Sequence, residues 1–339
     1  MEQKSVLIGM SGGVDSSVAA ALLKEQGYHV IGATMRLWTY SDSCNMKHEG
    51  CCAESAVEDA RRVCDKLGID FYVMNFKDMF KDKVVDYFVD EYIHGRTPNP
   101  CIACNKYLKF DALLKKALAM GIDYVATGHY AKIEKGEDGK YILRASEAVK
   151  KDQSYVLYNF TQEQLAHTLM PLGGYNKDWV RQKAEELGLG VAHKPDSQEI
   201  CFVEDDDYAK FITDYSGYKP KEGDILDVNG NVIGKHRGLI YYTIGQRKGI
   251  GAYGRPMFVM KIDAENNTIT LGEKGMEFSN ELTAYDVNFV SGEFPKENML
   301  ITAKVRYQAP PAAAMLCPQK DGTVKLMFPE PQRAVTPGQ

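Results

Sequence analysis

The sequence predicts an α/β domain built on a parallel sheet, followed by two small β-rich domains. Along the N-terminal part of the chain, short apolar runs alternate with stretches of helical periodicity. From about Tyr218 onward the helical periods vanish, and short alternating runs separated by turns such as Asn229-Gly230 replace them. Strands that alternate with helices form parallel sheets, whereas many short strands form sandwiches or barrels. We therefore predict domains at residues 1–215, 216–278 and 279–339.

The composition is that of a globular protein with a mildly acidic charge. The chain has 339 residues and a formal charge of -5, which disfavours a uniformly basic nucleic-acid-binding protein but is compatible with local basic patches. No apolar run approaches the roughly 20 residues that cross a bilayer, and the first residues do not resemble a signal peptide. We therefore predict a cytoplasmic protein with no membrane partner. In that compartment the eight cysteines are expected to be buried, metal-binding or catalytic, not a disulfide framework.

A glycine-rich loop joins the first predicted strand to the first predicted helix. The apolar run at 6–8 predicts a buried strand, residues 18–23 predict a helix that ends near Gly27, and 30–35 predict a second, parallel strand. The loop has the sequence Gly9-Met10-Ser11-Gly12-Gly13-Val14-Asp15-Ser16-Ser17. Glycines let the backbone approach a ligand closely, and the N–H groups at a helix N-terminus favour an anion. The loop therefore predicts a phosphate site.

Asp15 distinguishes this loop from the Walker motif, in which a lysine at the helix start reaches the terminal phosphates. A carboxylate beside bound phosphates is typical of a Mg²⁺ ligand. The order Ser-Gly-Gly-Val-Asp-Ser resembles the pyrophosphate loop, or PP-loop, of ATP pyrophosphatases, which split ATP between the α- and β-phosphates and adenylate a carbonyl oxygen. Met35, at the end of the second strand, is placed to pack on an adenine, or else is an ordinary core methionine.

The alternation of helices and strands continues to about residue 187. The predicted helices are 54–67, with Cys64 in the core, 79–92, 110–118, a short helix opened by a capping box at 161–164, and 179–187. The predicted strands are 71–76, 124–129, which ends in a second glycine turn, and a hairpin over 131–145 about Asp138-Gly139. A glycine and two prolines predict that 95–106 is irregular. Cys51 and Cys52 are expected to be packed.

Three cysteines stand in segments predicted to be irregular and polar: Cys101 and Cys104 in a Cys-x-x-Cys, and Cys201 in the stretch 196–203. Such a set is typical of a zinc site short of one ligand, an iron–sulfur cluster with one open iron, a redox pair, or thiolate nucleophiles. Nucleophiles fit ATP chemistry best, because an adenylated carbonyl is an electrophile that a thiolate attacks near neutral pH. Lys106 and Lys109 are nearby cations that favour the thiolate. Three ordinary buried thiols are the plainer alternative.

Nine different short motifs follow one another along the chain in a particular order. They are Ser-Gly-Gly-Val-Asp-Ser-Ser at 11–17, Gly-Arg-Thr-Pro-Asn-Pro at 95–100, Cys-Asn-Lys at 104–106, Ala-Thr-Gly-His-Tyr-Ala at 126–131, Lys-Asp-Gln-Ser-Tyr at 151–155, Asp-Ser-Gln-Glu-Ile-Cys-Phe at 196–202, Gly-Lys-His-Arg-Gly at 234–238, Thr-Ile-Gly-Gln-Arg-Lys-Gly at 243–249 and Val-Arg-Tyr at 305–307. In this order they closely resemble the bacterial tRNA-specific 2-thiouridylase family. The resemblance implies a Rossmann-like PP-loop ATPase domain and a last domain that is a β-barrel.

The resemblance also implies a reaction that makes 2-thiouridine in tRNA. ATP adenylates the C2 oxygen of the wobble uridine, sulfur replaces that oxygen, and AMP and pyrophosphate leave. Cys104 matches the family's nucleophile, and Cys201 matches the cysteine that carries the sulfur as a persulfide, with a disulfide between the two once sulfur is delivered. The implied partners are a tRNA anticodon stem-loop and a sulfur donor, either a sulfur-relay protein or a cysteine desulfurase.

Ligand contacts follow from the same resemblance. The residues implied to hold ATP and Mg²⁺ are Gly9, Met10, Ser11, Gly12, Gly13, Val14, Asp15, Ser16, Met35 and Gly128. Those implied to contact tRNA are Asn99, Pro100, Cys101, Lys151, Asp152, Gln153, Arg306 and Tyr307. An unstacked anticodon base is held by stacking and edge hydrogen bonds, which suits tyrosine and amide side chains. A candidate surface for the tRNA backbone comprises Lys235, His236, Arg237, Arg247, Lys248, Lys304 and Arg306.

The chain departs from the family pattern at two places. Many members have Asn-Pro-Asp where this chain has Asn-Pro-Cys, so Cys101 replaces an aspartate that is suggested to act as an acid or base. An equally weighted alternative for the sulfur step is therefore a [4Fe-4S] cluster on Cys101, Cys104 and Cys201, whose open iron binds sulfide. The chain also stops at Gln339, ahead of strand sequence that the family usually has, so we expect the last barrel to be truncated.

Two other functions fit parts of the sequence. The first is an amide-forming PP-loop synthetase of the argininosuccinate or GMP type, which the paired cysteines disfavour because nitrogen transfer needs no thiol. The second is a non-catalytic RNA-binding module with a structural zinc on Cys101, Cys104 and Cys201. The glycine loop between a strand and a helix favours an enzyme, a tRNA-uridine 2-sulfurtransferase of the EC 2.8.1 type.

Overall fold

The structure is a computed structural model that describes residues 3–38, 54–196, 200–203 and 206–339. The chain divides into two compact units. The first comprises Met1–Val84, Cys101–Val203 and Asn288–Glu293, and the second comprises Val85–Pro100, Glu204–Val287 and Phe294–Gln339. Cys51, Cys52 and residues 197–199 lie outside the described residues.

The strands and helices are numbered in chain order. The strands are β1 Ser5–Gly9, β2 His29–Arg36, β3 Asp70–Asn75, β4 Tyr124–Ala126, β5 Ala131–Lys135, β6 Tyr141–Ala145, β7 Thr168–Leu169, β8 Gly223–Leu226, β9 Val232–His236, β10 Met257–Asp263, β11 Thr268–Glu273, β12 Phe278–Ala284, β13 Met299–Ala303, β14 Ala312–Pro318 and β15 Val324–Arg333. The α-helices are α1 Val14–Glu25, α2 Glu54–Leu67, α3 Lys77–Phe80, α4 Asp86–Ile93, α5 Pro100–Ala103, α6 Leu113–Ala119, α7 Gln162–Ala166, α8 Lys177–Glu186 and α9 Tyr208–Ser216. Lys81–Val85 and Cys104–Ala112 are π-helical, and Val149–Lys151, Ser154–Leu157 and Leu239–Tyr241 are 3₁₀ turns.

A five-stranded parallel sheet organises the first unit, in the order β3-β2-β1-β4-β7. Val6, Leu7 and Ile8 of the central strand β1 have no exposed surface, as expected for a parallel strand covered on both faces. β2 lies on one side of β1 and β4 on the other, so the strand order reverses at β1. Ligands of open α/β sheets bind beyond the carboxyl ends of the strands at such a point. The glycine loop that follows β1 begins there.

The helix that carries the Cys-x-x-Cys corrects one predicted element. The sequence predicts an irregular segment at 95–106, but α5 begins at Pro100 and is followed directly by the π-helix Cys104–Ala112 and then by α6. Proline is tolerated at the first helical position, because the N–H that it lacks has no intrahelical partner there. The prediction was therefore wrong from Pro100 onward, and Cys101 and Cys104 are helical residues.

The second unit contains two four-stranded sheets, each with a small core of its own. In the sheet ordered β10-β11-β8-β9, β11 and β8 are parallel and the other pairs are antiparallel. The sheet ordered β12-β15-β14-β13 is antiparallel throughout, as in a barrel. The predicted fold class, a parallel-sheet α/β domain followed by two β-rich domains, is confirmed. The predicted domain boundaries stay predictions.

His236 belongs to the interior of the second unit. Only 1% of its surface is exposed, its Nε2 lies 3.0 Å from the carbonyl oxygen of Asn267, and its Nδ1 accepts a hydrogen bond from the backbone N–H of Gly238 at 3.1 Å. Its prediction as a surface residue for the tRNA backbone was wrong, because the side chain at the end of β9 points inward.

Within the described ranges, no helix is long and apolar enough to cross a membrane.

Candidate nucleotide and thiol site

The loop after β1 depends on positions that only glycine can occupy. Gly12 has a φ of +69°, and a Cβ there would lie 2.2 Å from the carbonyl oxygen of Ala56. A Cβ on Gly128, in the turn after β4, would lie 2.7 Å from the backbone nitrogen of Ser16. The N-cap of α1 is Gly13, which offers no side chain to the first N–H groups of the helix. These N–H groups therefore suit an anion.

A cavity of about 210 Å³ opens beside this loop. Of the ten residues predicted to hold ATP, seven line it: Gly9, Met10, Ser11, Asp15, Ser16, Met35 and Gly128. The other three, Gly12, Gly13 and Val14, form the adjoining turn and the start of α1. Part of the wall is apolar and consists of Ala33, Met35 and Leu37. An apolar wall beside a glycine loop suits a nucleotide, which has an apolar base face and phosphates that need N–H donors.

Four polar side chains in the cavity wall were not among the predicted contacts: Thr34, Lys109, Thr127 and His129. Burial, and then the nearby ammonium of Lys109, lower the pKa of His129 well below its usual range, so the ring is neutral. Its Nδ1 lies 2.7 Å from Thr127 Oγ1. The motif Ala-Thr-Gly-His-Tyr pointed to this turn, but a motif does not show which of its side chains face inward.

Asp15, the predicted Mg²⁺ ligand, accepts hydrogen bonds from two side chains. The Nζ of Lys177 donates to its two carboxylate oxygens at 2.7 and 2.8 Å, and the hydroxyl of Tyr130 donates at 2.7 Å. Burial, and then the Asp15 carboxylate, raise the pKa of Tyr130, which keeps the phenol a donor. Mg²⁺ usually binds one or two carboxylates together with phosphate oxygens. Asp15 therefore fits a Mg²⁺ site only beside bound phosphates.

The same ammonium joins Asp15 to Asp196, the first residue of the segment that leads to Cys201. Three cations surround the Asp196 carboxylate: Lys177 Nζ at 2.7 Å, Lys151 Nζ at 2.8 Å and Arg181 Nη2 at 3.1 Å. Burial raises the pKa of Asp196, but hydrogen bonds from Lys151 and Lys177 outweigh it and hold the pKa at about 2. The start of the Cys201 segment is therefore tied to the glycine loop through Lys177.

The three predicted cysteines differ in exposure. Cys104 is 8% exposed at the start of the π-helix, Cys101 is exposed on the preceding α5, and Cys201 is half-buried. The π-helix reaches the cavity at Lys109. Cys104 therefore lies on an element that forms the cavity wall, whereas Cys201 is linked to the loop only through its nearness in sequence to Asp196.

The arrangement of the three cysteines bears on the two metal sites that the sequence left open. The part of the chain that the structure describes contains no group of three or more His, Cys, Asp or Glu side chains that could hold a metal ion. Cys101, Cys104 and Cys201 are all within that part. Their arrangement therefore fits neither a [4Fe-4S] cluster, which needs three thiolates converging on one centre, nor the zinc of the RNA-binding module.

The residues at 151–153, whose contact with tRNA stays a prediction, make polar contacts within the first unit. Besides the Lys151 contact with Asp196, Asp152 accepts hydrogen bonds from the backbone N–H of Ser146 at 2.9 Å and from the hydroxyl of Ser154 at 2.7 Å. Gln153 lines the cavity, and its Oε1 accepts a hydrogen bond from a backbone N–H at 2.9 Å. Only Gln153 of the three faces the cavity.

The remaining residues predicted to contact tRNA, apart from Cys101, lie in the second unit. Asn99 is half-buried and Pro100 is buried. Arg306 is half-buried, and its Nη2 donates to the carbonyl oxygen of Ile244 at 3.0 Å. Tyr307 exposes 38% of its surface. Contact of these residues with tRNA stays a prediction.

Family models match nearly the whole chain. Residues 4–205 match the tRNA methyl transferase HUP domain, 209–273 match the tRNA methyl transferase PRC-barrel domain, and 279–339 match the aminomethyltransferase beta-barrel domain. Three curated relatives, each named tRNA-specific 2-thiouridylase MnmA, match over 93–95% of their own lengths. The relative from Acetivibrio thermocellus is 58% identical over 100% of this chain and 95% of its own length. Those from Clostridioides difficile and Clostridium botulinum are 58% and 56% identical, over 99% and 100% of this chain and 93% and 94% of their own lengths. The chain belongs to the tRNA-specific 2-thiouridylase family.

Membership of the tRNA-specific 2-thiouridylase family confirms the resemblance drawn from the motifs. The individual roles of Cys104, Cys201 and the cavity residues stay predictions. Lys177, Arg181 and Asp196 form a group of charged side chains in contact with the glycine loop through Asp15, and this grouping was not predicted. Asp196 stood at the head of a quoted motif, whereas nothing near Lys177 pointed to the glycine loop.

Proposed function

We propose that this chain is a tRNA-uridine 2-sulfurtransferase, of the EC 2.8.1 type, that makes 2-thiouridine at the wobble position of tRNA. The observation that carries the proposal is the cavity at the PP-loop, whose wall includes Lys109 of the π-helix that begins at Cys104. Adenylation followed by sulfur transfer needs an ATP site with a thiol at its edge. Relatives that are 56–58% identical over 93–95% of their own lengths have this activity in their names, which supports the same function here.

ATP would lie with its base against Met35 and Leu37 and its phosphates at the N-terminus of α1. The N–H groups of the first helical turn stabilise the negative charge that gathers on pyrophosphate as it leaves. Asp15, together with phosphate oxygens, would hold Mg²⁺, which supplies further neutralisation of that charge. His129 in the cavity wall is neutral, so it adds no positive charge that would compete with Mg²⁺ for the phosphates.

Gln153 is our candidate for contact with the target uridine. It lines the cavity, and its Oε1 is already occupied by the backbone N–H of Tyr130. Its amide NH₂ group therefore remains as the donor for a carbonyl oxygen of the base. Asn99 and Pro100 are also proposed to contact the target base, as the family motif implies. The residues proposed to contact the tRNA around it are Cys101, Lys151, Asp152, Arg306 and Tyr307.

Sulfur transfer uses Cys201 and Cys104. A sulfur-relay protein or a cysteine desulfurase loads Cys201 as a persulfide, and its terminal sulfur attacks C2 of the adenylated uridine. The C2–O bond breaks and AMP leaves. The Cys104 thiolate then attacks the Cys201 sulfur, which releases 2-thiouridine and leaves a Cys104–Cys201 disulfide. A thiol reductant must restore both cysteines, so we place the protein in the reducing cytoplasm, where tRNA is also found.

The test is to incubate the protein with ATP, a persulfide donor and unmodified tRNA, and to measure 2-thiouridine in nucleoside digests by mass spectrometry. The wild type is expected to form 2-thiouridine and AMP in equal amounts, and Cys104→Ser and Cys201→Ser are expected to form no 2-thiouridine. Cys317→Ser, in β14 of the second unit, is the matched control and is expected to stay active. Product formed without ATP, or by either of the first two variants, would refute the proposal.

A further inference from the structure

Lys177 is the first residue of α8, whose N-terminus is capped by a side chain. Asn176 caps the helix by accepting a hydrogen bond from the backbone N–H of Trp179 at 2.8 Å. The ring of Trp179 stacks on that of Tyr175, with 3.9 Å between their centroids. The Lys177 side chain exposes only 12% of its surface. An ammonium so deeply placed must be paired, because an unpaired buried charge is costly.

The partners of Lys177 are two carboxylates on different segments. Its Nζ contacts both oxygens of Asp15 and one oxygen of Asp196, all within 2.8 Å. Lys151 and Arg181 also contact Asp196. Three cations therefore face two carboxylates, and this group of five side chains has one positive charge in excess. This excess positive charge lies beside the PP-loop, because Lys177 contacts Asp15.

Asp15 creates an electrostatic problem for an anion in the PP-loop. It is the second residue of α1, so its carboxylate stands at the helix N-terminus that attracts phosphate. Two negative charges a few ångströms apart repel each other strongly in a partly buried site, unless a cation stands between them. Lys177 contacts both carboxylate oxygens of Asp15, so its ammonium can stand between that carboxylate and a bound phosphate. An ammonium has three donors, and these can be shared between a carboxylate and a phosphate.

We propose that Lys177 contacts the β- and γ-phosphates of ATP, the task of the loop lysine in the Walker motif, and that it exchanges Asp196 for phosphate while it keeps Asp15. A phosphate chain carries more negative charge than one carboxylate, so it competes well for the ammonium. Asp196 keeps Lys151 and Arg181 after the exchange, and so no carboxylate is left without a cation. The inference rests on the proposed function only in that the cavity binds ATP.

The test compares an ATP analogue with AMP, because only the former has β- and γ-phosphates. Affinities of the full-length protein are measured by isothermal titration calorimetry without tRNA, with a non-hydrolysable ATP analogue and with AMP. Lys177→Gln is expected to weaken binding of the analogue by about 10- to 100-fold, as for the loss of one charged hydrogen bond. AMP binding is expected to change by less than about twofold.

Lys183→Gln is the matched control, since Lys183 lies on the same helix and pairs with Glu25 at 2.9 Å. It is expected to bind both ligands as the wild type does. Equal losses for the analogue and AMP in Lys177→Gln would indicate a purely structural role and overturn the proposal. Unchanged binding of the analogue would overturn it as well.

A second variant keeps the proposal testable if Lys177→Gln does not fold. Asp196→Asn removes the carboxylate that competes with phosphate for Lys177, so it is expected to tighten binding of the ATP analogue several-fold and to leave AMP unaffected. Weaker or unchanged binding of the analogue would overturn the exchange. A wild type that binds ATP but makes no 2-thiouridine would refute the proposed function alone. If the wild type makes 2-thiouridine and Lys177→Gln binds the ATP analogue as tightly as the wild type does, only the role of Lys177 is refuted.

Discussion

Replacement of Gly128 by alanine is expected to damage ATP binding through the backbone of the PP-loop. The new Cβ would lie 2.7 Å from the backbone nitrogen of Ser16 and 2.8 Å from the carbonyl carbon of Asp15, both in the first turn of α1. Ordinary contact begins at 3.4 Å, so the turn must move by about 0.7 Å, the difference between 3.4 and 2.7 Å. The obstructing atoms belong to the backbone, and no side-chain rotation can relieve the clash.

A shift of this size moves the N–H groups that would hold phosphate. Hydrogen bonds with N–H donors keep to a narrow range, about 2.7–3.2 Å, so 0.7 Å spoils the geometry of those in the moved turn. A hydrogen bond to a charged group is worth about 1.5–3 kcal/mol, and tenfold in affinity is about 1.4 kcal/mol. We therefore expect ATP to bind at least about tenfold more weakly. The crowding itself costs about 1–3 kcal/mol of folding free energy.

The assay is calorimetric titration with a non-hydrolysable ATP analogue, together with urea unfolding to check that the variant is folded. Gly174→Ala is the control, since a Cβ there meets nothing within 4 Å, and we expect it to bind as the wild type does. Wild-type affinity in a folded Gly128→Ala protein would refute the reasoning that Gly128 sets the position of the first turn of α1.

Three further outcomes follow from the thiols and from Asp196. Iron chelators are expected to leave sulfur transfer from a persulfide donor intact, because the described residues form no group of metal ligands; activity that tracks iron and labile sulfide would contradict this. Iodoacetamide at mildly alkaline pH is expected to modify exposed Cys101 well before Cys64, since burial, and then the charge of Asp65, raise the pKa of Cys64 to about 12. Peptide mass mapping measures the two rates, and similar rates would count against this. The pKa of Asp196 falls from 3.8 to about 2 on folding, so its ion pairs stabilise the protein above about pH 4 and this stability is lost as the pH falls towards 2. In urea unfolding across that range, Asp196→Asn is expected to lose less stability than the wild type, and identical losses would be the contrary result.

Periodicity and turn chemistry are local properties, which is why they predicted the elements of the fold. α2 has the predicted bounds Glu54–Leu67, and the capping box at Thr161 is present with both of its hydrogen bonds. β5 and β6 pair as the hairpin predicted about Asp138-Gly139. The error at Pro100 also has a local cause. A proline that breaks the interior of a helix can equally begin one, and the residues after it decide between the two.

In the candidate site, too, the features that depend on neighbouring residues were predicted and those that depend on distant residues were not. Glycines before a helix start predict a phosphate site from a few neighbouring residues, and the cavity lies there. The partner of Asp15 could not be predicted, because Lys177 is 162 residues away along the chain. A lysine at a helix start has the same local sequence whether it faces water or a carboxylate. His236 shows the converse, since a basic cluster in the sequence contained a side chain that the second unit buries.

Asp196 links the two halves of the proposed chemistry. It opens the segment that carries Cys201, and three cations hold it. If phosphate takes Lys177, two of these cations remain, so Asp196 loses one ion pair and keeps two. The ion pairs of Asp196 would then differ between the free and the ATP-bound protein. Departure of pyrophosphate would return Lys177 to Asp196. On this account Asp15 serves ATP binding by holding Lys177 beside the loop, beyond any part it has in binding Mg²⁺.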